Sequence, residues 1–143
     1  MNKTRDLHFG GCLCGAVRFS IRGPLRDVVI CHCTMCQKLH GAVGAHSKAR
    51  KSDITFSEQR GLAWYASSTR ARRGFCRDCG SSLFWEPRNQ STMGILAGSL
   101  DDSSGLETIG HIFTDEKCAF FEIADYCKQF SGSSHGDLDG DTL

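Results

Sequence analysis

Cys31-His32-Cys33-Thr34-Met35-Cys36, followed at once by Gln37-Lys38-Leu39-His40-Gly41, is the stretch on which the reading of this chain turns. Three thiols within six residues cannot readily pair with one another as disulfides, but all three can point at one ion. Zinc takes about four ligands in a tetrahedron with Zn–S near ~2.3 Å, and a C-x-C-x-x-C segment supplies three of them from one turn of chain. If a protein group fills the fourth position the site is structural. If water or a substrate fills it, the site can do chemistry.

Two more clusters flank this one. Cys12-Leu13-Cys14-Gly15 lies before it and Cys76-Arg77-Asp78-Cys79-Gly80 after it, each a tight turn in which glycine lets the backbone fold around an ion. Joining the outer clusters into one closed four-sulfur site is the economical solution: Cys12, Cys14, Cys76 and Cys79 hold a structural zinc that ties the N-terminal strand to the middle of the chain. The middle cluster then keeps three sulfurs and one open place. Cys118, Cys127, His32 and His40 are the chain's own candidates for it, although Cys118 and Cys127 sit among Phe and Ile as small core residues do.

Charge narrows what an open place could receive. Zinc with three thiolates carries a formal charge of −1 and is poorly suited to acidifying water, but it suits a fourth sulfur, which it would deprotonate to a nucleophilic thiolate. The surplus negative charge calls for cations nearby, and Lys38, His40, His32 and the run Arg70, Arg72 and Arg73 are at hand. A thiol-bearing substrate is favoured over ordinary hydrolysis. Lys38 or His40 would then steady developing charge or carry a proton.

The rest of the sequence predicts a mainly β domain. Val17, Phe19 and Ile21 alternate with Arg18, Ser20 and Arg22, the pattern of a half-buried strand closed by Gly23-Pro24. Short strands are predicted over 6–9, broken by Gly10-Gly11, and at 28–30, 43–46, 54–56, 62–65, 82–85 and 93–97. Residues 37–40 have room for a helical turn that Gly41 stops. Residues 117–130 read as a short helix or an irregular packed segment. From Ser131 the chain is small, polar and acidic, which predicts a folded domain over 1–130 and a disordered tail over 131–143.

The length of 143 residues suits one domain, and its nine cysteines are an odd number in clusters, which argues against a disulfide framework. Met1 to Gly11 has no apolar run behind its basic residues, and no stretch approaches the ~18 apolar residues of a membrane span, so a cytoplasmic protein away from membranes is predicted. Residues 1–100 hold fifteen Lys and Arg against six Asp and Glu, whereas residues 101–143 hold two against ten. This asymmetry reads as internal neutralisation, or as a basic surface around the metal that receives an anion. The Arg70, Arg72, Arg73 run has no accompanying aromatic stacking pattern, and nucleic acid is not expected as a partner.

The clusters in this order resemble the glutathione-dependent formaldehyde-activating enzyme family, which also includes centromere protein V. The resemblance spans residues 8–130 and rests on Gly11-Cys12-Leu13-Cys14-Gly15-Ala16-Val17, Cys31-His32-Cys33 with Cys36 and Lys38, Gly41-Ala42, Phe75-Cys76 with Cys79-Gly80, and His111-Ile112-Phe113 with Lys117. It implies a β-tent fold of short coiled antiparallel sheets around zinc, with two ions per chain. Cys12, Cys14, Cys76 and Cys79 would hold the structural ion, and Cys31, Cys33 and Cys36 a catalytic one, the latter expected to be partly occupied. It also implies a carbon–sulfur lyase activity, the joining of glutathione and formaldehyde as S-hydroxymethylglutathione. One departure is Cys127-Lys128, where the family usually has Leu-Pro. His111 is expected either to line the pocket or to serve as a hydrogen-bonded structural residue. The competing function is a non-catalytic, zinc-stabilised binding module for a protein partner.

Overall fold

A computed structural model of the chain describes residues 7–140. Its strands are β1 (Leu7–Gly11), β2 (Arg18–Arg22) and β3 (Arg26–Cys31); a helix, α1 (Thr34–His40), follows, and then β4 (Gly44–Arg50), β5 (Ile54–Glu58), β6 (Leu62–Tyr65), β7 (Ala71–Cys76), β8 (Ser82–Pro87), β9 (Thr92–Leu96), β10 (Thr108–Ile112) and β11 (Lys128–Gln129). The domain is mainly β, in two sheets. One is three-stranded in the order β1-β2-β5, and the other runs β11-β10-β3-β4-β9-β8-β7-β6. Pairing is antiparallel except where β10 lies parallel to both β3 and β11.

The alternation over residues 17–21 works as a half-buried strand should. Val17, Phe19 and Ile21 are fully buried and meet Leu83, Phe84 and Ile95 from the large sheet and Leu25 from the link between β2 and β3, so the core lies between the sheets. Phe84 is its hub, edge-on to Phe19 at 5.1 Å and to Phe56 at 5.6 Å, and stacked with Trp64 at 6.0 Å. Gly10 and Gly11 do not break β1 but belong to it. A Cβ at Gly10 would lie 2.6 Å from the Phe19 ring and one at Gly11 2.4 Å from the Val17 carbonyl, so glycine here serves close strand approach rather than a turn.

Three strands, β7, β10 and β11, fall where no strand was predicted, and of the two readings of residues 117–130 the irregular one, not the helix, holds over 117–127. Phe120 and Tyr126 point into solvent there. The expected disordered tail is also corrected, for its residues 131–140 fold back on the sheet; residues 141–143 lie outside the described part. Leu138 is buried against Gly110 of β10, where a Cβ would collide with it. Asp139 pairs with the buried Arg26 at 3.0 Å and with Lys48 at 2.6 Å. The composition is that of a tail, but one leucine and one aspartate find a groove and two cations.

Ending the chain at Phe130 is therefore expected to lower the melting temperature by roughly 3–12 °C. Burial of one leucine contributes about 1.5–3 kcal/mol, and in a domain of this size about 1 kcal/mol moves the midpoint by about 2–4 °C. The ion pairs add a pH signature. Burial raises the Asp139 pKa, but Lys48 and Arg26 together hold it below the ordinary carboxylate value. Its contribution is then complete above the unfolded-state value, near ~4, and disappears as pH falls through the lower folded one. Calorimetry of the truncated chain checks this, and an unchanged midpoint would show that residues 131–140 contribute nothing.

Candidate metal centre

The first sulfur cluster forms where the small sheet meets β7. Cys12 and Cys14 lie in the turn from β1 to β2, where Gly15 takes φ +86°, and Cys76 and Cys79 bracket the turn after β7, closed by Gly80 at φ +79°. Cys12 Sγ lies 3.7 Å from Cys14 Sγ, and Cys14 Sγ lies 3.8 Å from Cys76 Sγ. All four sulfurs lie within 4.8 Å of one another. Two sulfurs on one tetrahedral zinc are separated by about 3.8 Å, given Zn–S near ~2.3 Å. The spacing thus fits that ion.

Outer contacts fix these sulfurs. The Val17 N–H donates to Cys12 Sγ at 3.2 Å, and Ser81 Oγ lies 3.1 Å from Cys79 Sγ while accepting the Leu13 N–H. Ser81 draws the Cys79 thiol down to about 5. Cys14 goes the other way: a backbone hydrogen bond from Ala16 favours its thiolate, yet burial and the sulfurs of Cys12, Cys79 and Cys76 push it up to about 12. Four thiols this close cannot all ionise without a cation among them.

The second cluster sits at the start of α1. Cys31 ends β3, Cys33 is the N-cap, and its Sγ accepts the Cys36 N–H at 3.4 Å, so the cap that starts the helix also gathers the thiols. All three are buried, and their sulfurs lie within 4.8 Å of one another. The Cys31 and Cys36 sulfurs drive Cys33 down to about 2, and the same contacts push Cys31 far up. Ile112 and Phe113 pack over the cluster. Phe113 holds a left-handed conformation, φ 55°, a costly choice for an aromatic residue, and its N–H donates to the Gly132 carbonyl at 2.9 Å.

Of the three arginines expected to balance the sulfurs, only Arg73 reaches them. Its buried guanidinium places Nη1 3.8 Å from Cys36 Sγ. Arg72 stacks over Trp64 and pairs with Glu86 instead, and Arg70 is exposed. Three thiolates, one divalent ion and Arg73 sum to zero charge. Lys38 is exposed on α1. His40 is half-buried at the end of the helix, and together with Leu39, Tyr65, Arg73, Phe75 and Phe84 it lines a cleft of about 430 Å³ beside the cluster. Burial, with help from Arg73, lowers the His40 pKa and keeps the ring neutral near pH 7.

The candidates for the fourth place separate cleanly. His32 turns away from the sulfurs: its Nε2 lies 2.9 Å from His111 Nδ1, and His111 Nε2 lies 2.8 Å from Asp125 Oδ2. His111 is thus a hydrogen-bonded link and does not line the cleft. Cys127 donates to the Thr108 carbonyl, and Cys118 joins no metal-ligating cluster among the described residues. His40 does approach Cys36, and so does a residue the sequence did not single out, His46 of β4, with Nε2 3.8 Å from Cys36 Sγ. His46 lies outside any ligand spacing, and only the pairing of Cys31 with Gly44 across β3 and β4 brings it close. No helix among the described residues is long and apolar enough to cross a membrane.

These features define a class: a small, mainly β protein built around one closed cluster of four cysteine sulfurs and one cluster of three beside a cleft. A family model described as glutathione-dependent formaldehyde-activating enzyme matches residues 7–116, and the chain belongs to that family. A protein of Schizosaccharomyces pombe named as an uncharacterized lyase is 27% identical over 126 residues, which cover 85% of this chain and 89% of the relative. A crystal structure of a Rhodobacter sphaeroides protein shares 29% identity with a TM-score of 0.54, covering 69% of this chain and 90% of that one.

Proposed function

We propose that the chain is a zinc-dependent enzyme of carbon–sulfur lyase type, acting on the adduct of a small thiol such as glutathione with formaldehyde or a related aldehyde. The observation that carries this reading is a cluster of exactly three buried sulfurs whose flanking cleft is lined by a cation and an imidazole. Zinc bound at Cys31, Cys33 and Cys36 would supply a place where an incoming thiol ionises.

The chain's own residues account for the rest. Arg73 balances the thiolates and tolerates a further one nearby. His40, neutral and facing the cleft, takes the thiol proton and returns it to the aldehyde oxygen as the new carbon–sulfur bond forms and the C=O bond becomes C–OH. The reverse sequence cleaves the adduct. Lys38, exposed on α1, attracts the anionic groups of a substrate such as glutathione from outside the cleft. Two zinc ions per chain are expected, with the three-sulfur site less tightly loaded, and nine free thiols suit a reducing compartment such as the cytoplasm.

Glutathione is expected to bind the zinc-loaded protein measurably by calorimetry, and X-ray absorption should show a sulfur added at the three-sulfur site. Arg73→Met should weaken binding far more than Lys38→Ala. Four protein ligands at that zinc together with indifference to every thiol tested would replace the enzyme by the binding module.

A further inference from the structure

Cys36 belongs to two donor sets. Its sulfur closes the three-cysteine cluster on one side, and on the other the donor atoms of Cys36, His40 and His46 lie within 4.8 Å of one another. Cys36 Sγ and His46 Nε2 are 3.8 Å apart, close to the ~3.6 Å edge expected between a sulfur and an imidazole nitrogen on one tetrahedral zinc.

Two further observations point to a ligand between these groups. His40 Nε2 is buried without a hydrogen-bond partner, a condition native proteins avoid unless something else satisfies the atom. The space it faces is kept clear by Gly44, whose backbone is not in the left-handed region and so does not require glycine for conformation. A Cβ there would lie 2.5 Å from His46 Nε2, 3.0 Å from His40 Cδ2 and 3.1 Å from Cys36 Sγ. All three donor groups therefore converge on one small space.

We infer that the chain has a further metal position, second to the three-sulfur one around Cys36, formed by Cys36 Sγ and the imidazoles of His40 and His46, which takes a divalent ion of zinc's borderline character. One thiolate and two imidazoles are donors zinc and cobalt accept readily. The two positions share one sulfur, so an ion at either takes the Cys36 thiolate from the other. The position is accordingly alternative to the three-sulfur one. It receives the ion when Cys31 and Cys33 are unavailable, and in doing so it takes the nitrogen assigned above to proton transfer. It is a parking place, not a working one. The inference needs only these three residues and does not depend on the identity of the substrate.

Cobalt titration of the full chain tests it. The Cys31→Ser/Cys33→Ser protein removes two sulfurs from the first set and none from the second. It is expected to bind two Co²⁺ per chain still, the second with a thiolate-to-metal absorption about one-third that of the wild-type site, because one thiolate of three remains. X-ray absorption should show two nitrogen ligands at that ion. Adding His46→Ala or His40→Ala in the same background should weaken it at least tenfold. Binding of a single Co²⁺ by the folded double-serine protein, or indifference to both histidine changes, overturns the proposal. Circular dichroism reports folding, and if the double-serine protein does not fold, Cys33→Ser alone carries the same histidine comparison. A wild-type protein that ignores thiols while its variants pass this comparison sinks the enzyme reading and leaves the second position standing.

Discussion

Cys76→Ser protein is expected to be largely unfolded at 25 °C, with no cooperative thermal transition and less than one zinc retained per chain. Cys76 is completely buried, and its sulfur lies 3.8 Å from that of Cys14. A structural zinc in a small domain contributes on the order of 10 kcal/mol of folding free energy. That is comparable with the ~5–15 kcal/mol by which whole domains are stable. Here the cluster also joins the small sheet to the large one, so its loss frees β1 and β2 from β7 as well as emptying a site. Cys33→Ser, which touches only the second cluster and leaves a side-chain oxygen to cap α1, should keep the fold. Circular dichroism melts of the two proteins with metal analysis make the comparison, and equal losses would mean that both clusters are structural.

Arg73→Met should empty the three-sulfur site while leaving the four-sulfur site full. The guanidinium is buried and 3.8 Å from Cys36 Sγ, a separation at which opposite unit charges attract by ~4 kcal/mol at an effective dielectric constant near ~20. Allowing for relaxation, a fall in zinc affinity of roughly tenfold to a thousandfold follows. Methionine fills most of the volume, so the packing against the cleft survives. Competition with a chelating dye, reading the two zinc ions separately, measures the effect. Retention of both ions at wild-type affinity would show that Arg73 does not balance the thiolates.

What could be read beforehand depended on whether a neighbour in sequence was also a neighbour in space. The thiol turns are local, so Cys31, Cys33 and Cys36 were legible as one group, and the outer clusters could be joined because four ligands make a closed tetrahedron. The strand over 18–22 was legible because its two faces see different solvents. β7 was not, since Arg72 and Arg73 look like surface charge; one stacks on Trp64, while the other is drawn inward by sulfurs from another part of the chain. His46 was missed for the same reason, having no spacing to betray it. Arg73 rather than Lys38 lies against the sulfurs, and net charge says which cations exist, not which one is desolvated. The tail misled because composition averages over residues, and Leu138 and Asp139 act singly.

The four-sulfur cluster closes across the sequence, from Cys12 and Cys14 to Cys76 and Cys79, with Cys76 62 positions after Cys14. During synthesis at ~5–20 residues per second, that stretch takes roughly 3–12 s to appear. For the later part of that interval, once Cys36 is made, the nascent chain carries five thiols, the first two clusters together, without the pair that completes the first. An ion arriving then meets Cys12, Cys14, Cys31, Cys33 and Cys36 as a flexible pool from which a wrong foursome can be drawn. Correct assembly thus depends on the timing of metal delivery relative to translation. Cells flooded with zinc during synthesis should accumulate more trapped, misligated chain than cells given the same zinc after synthesis is complete.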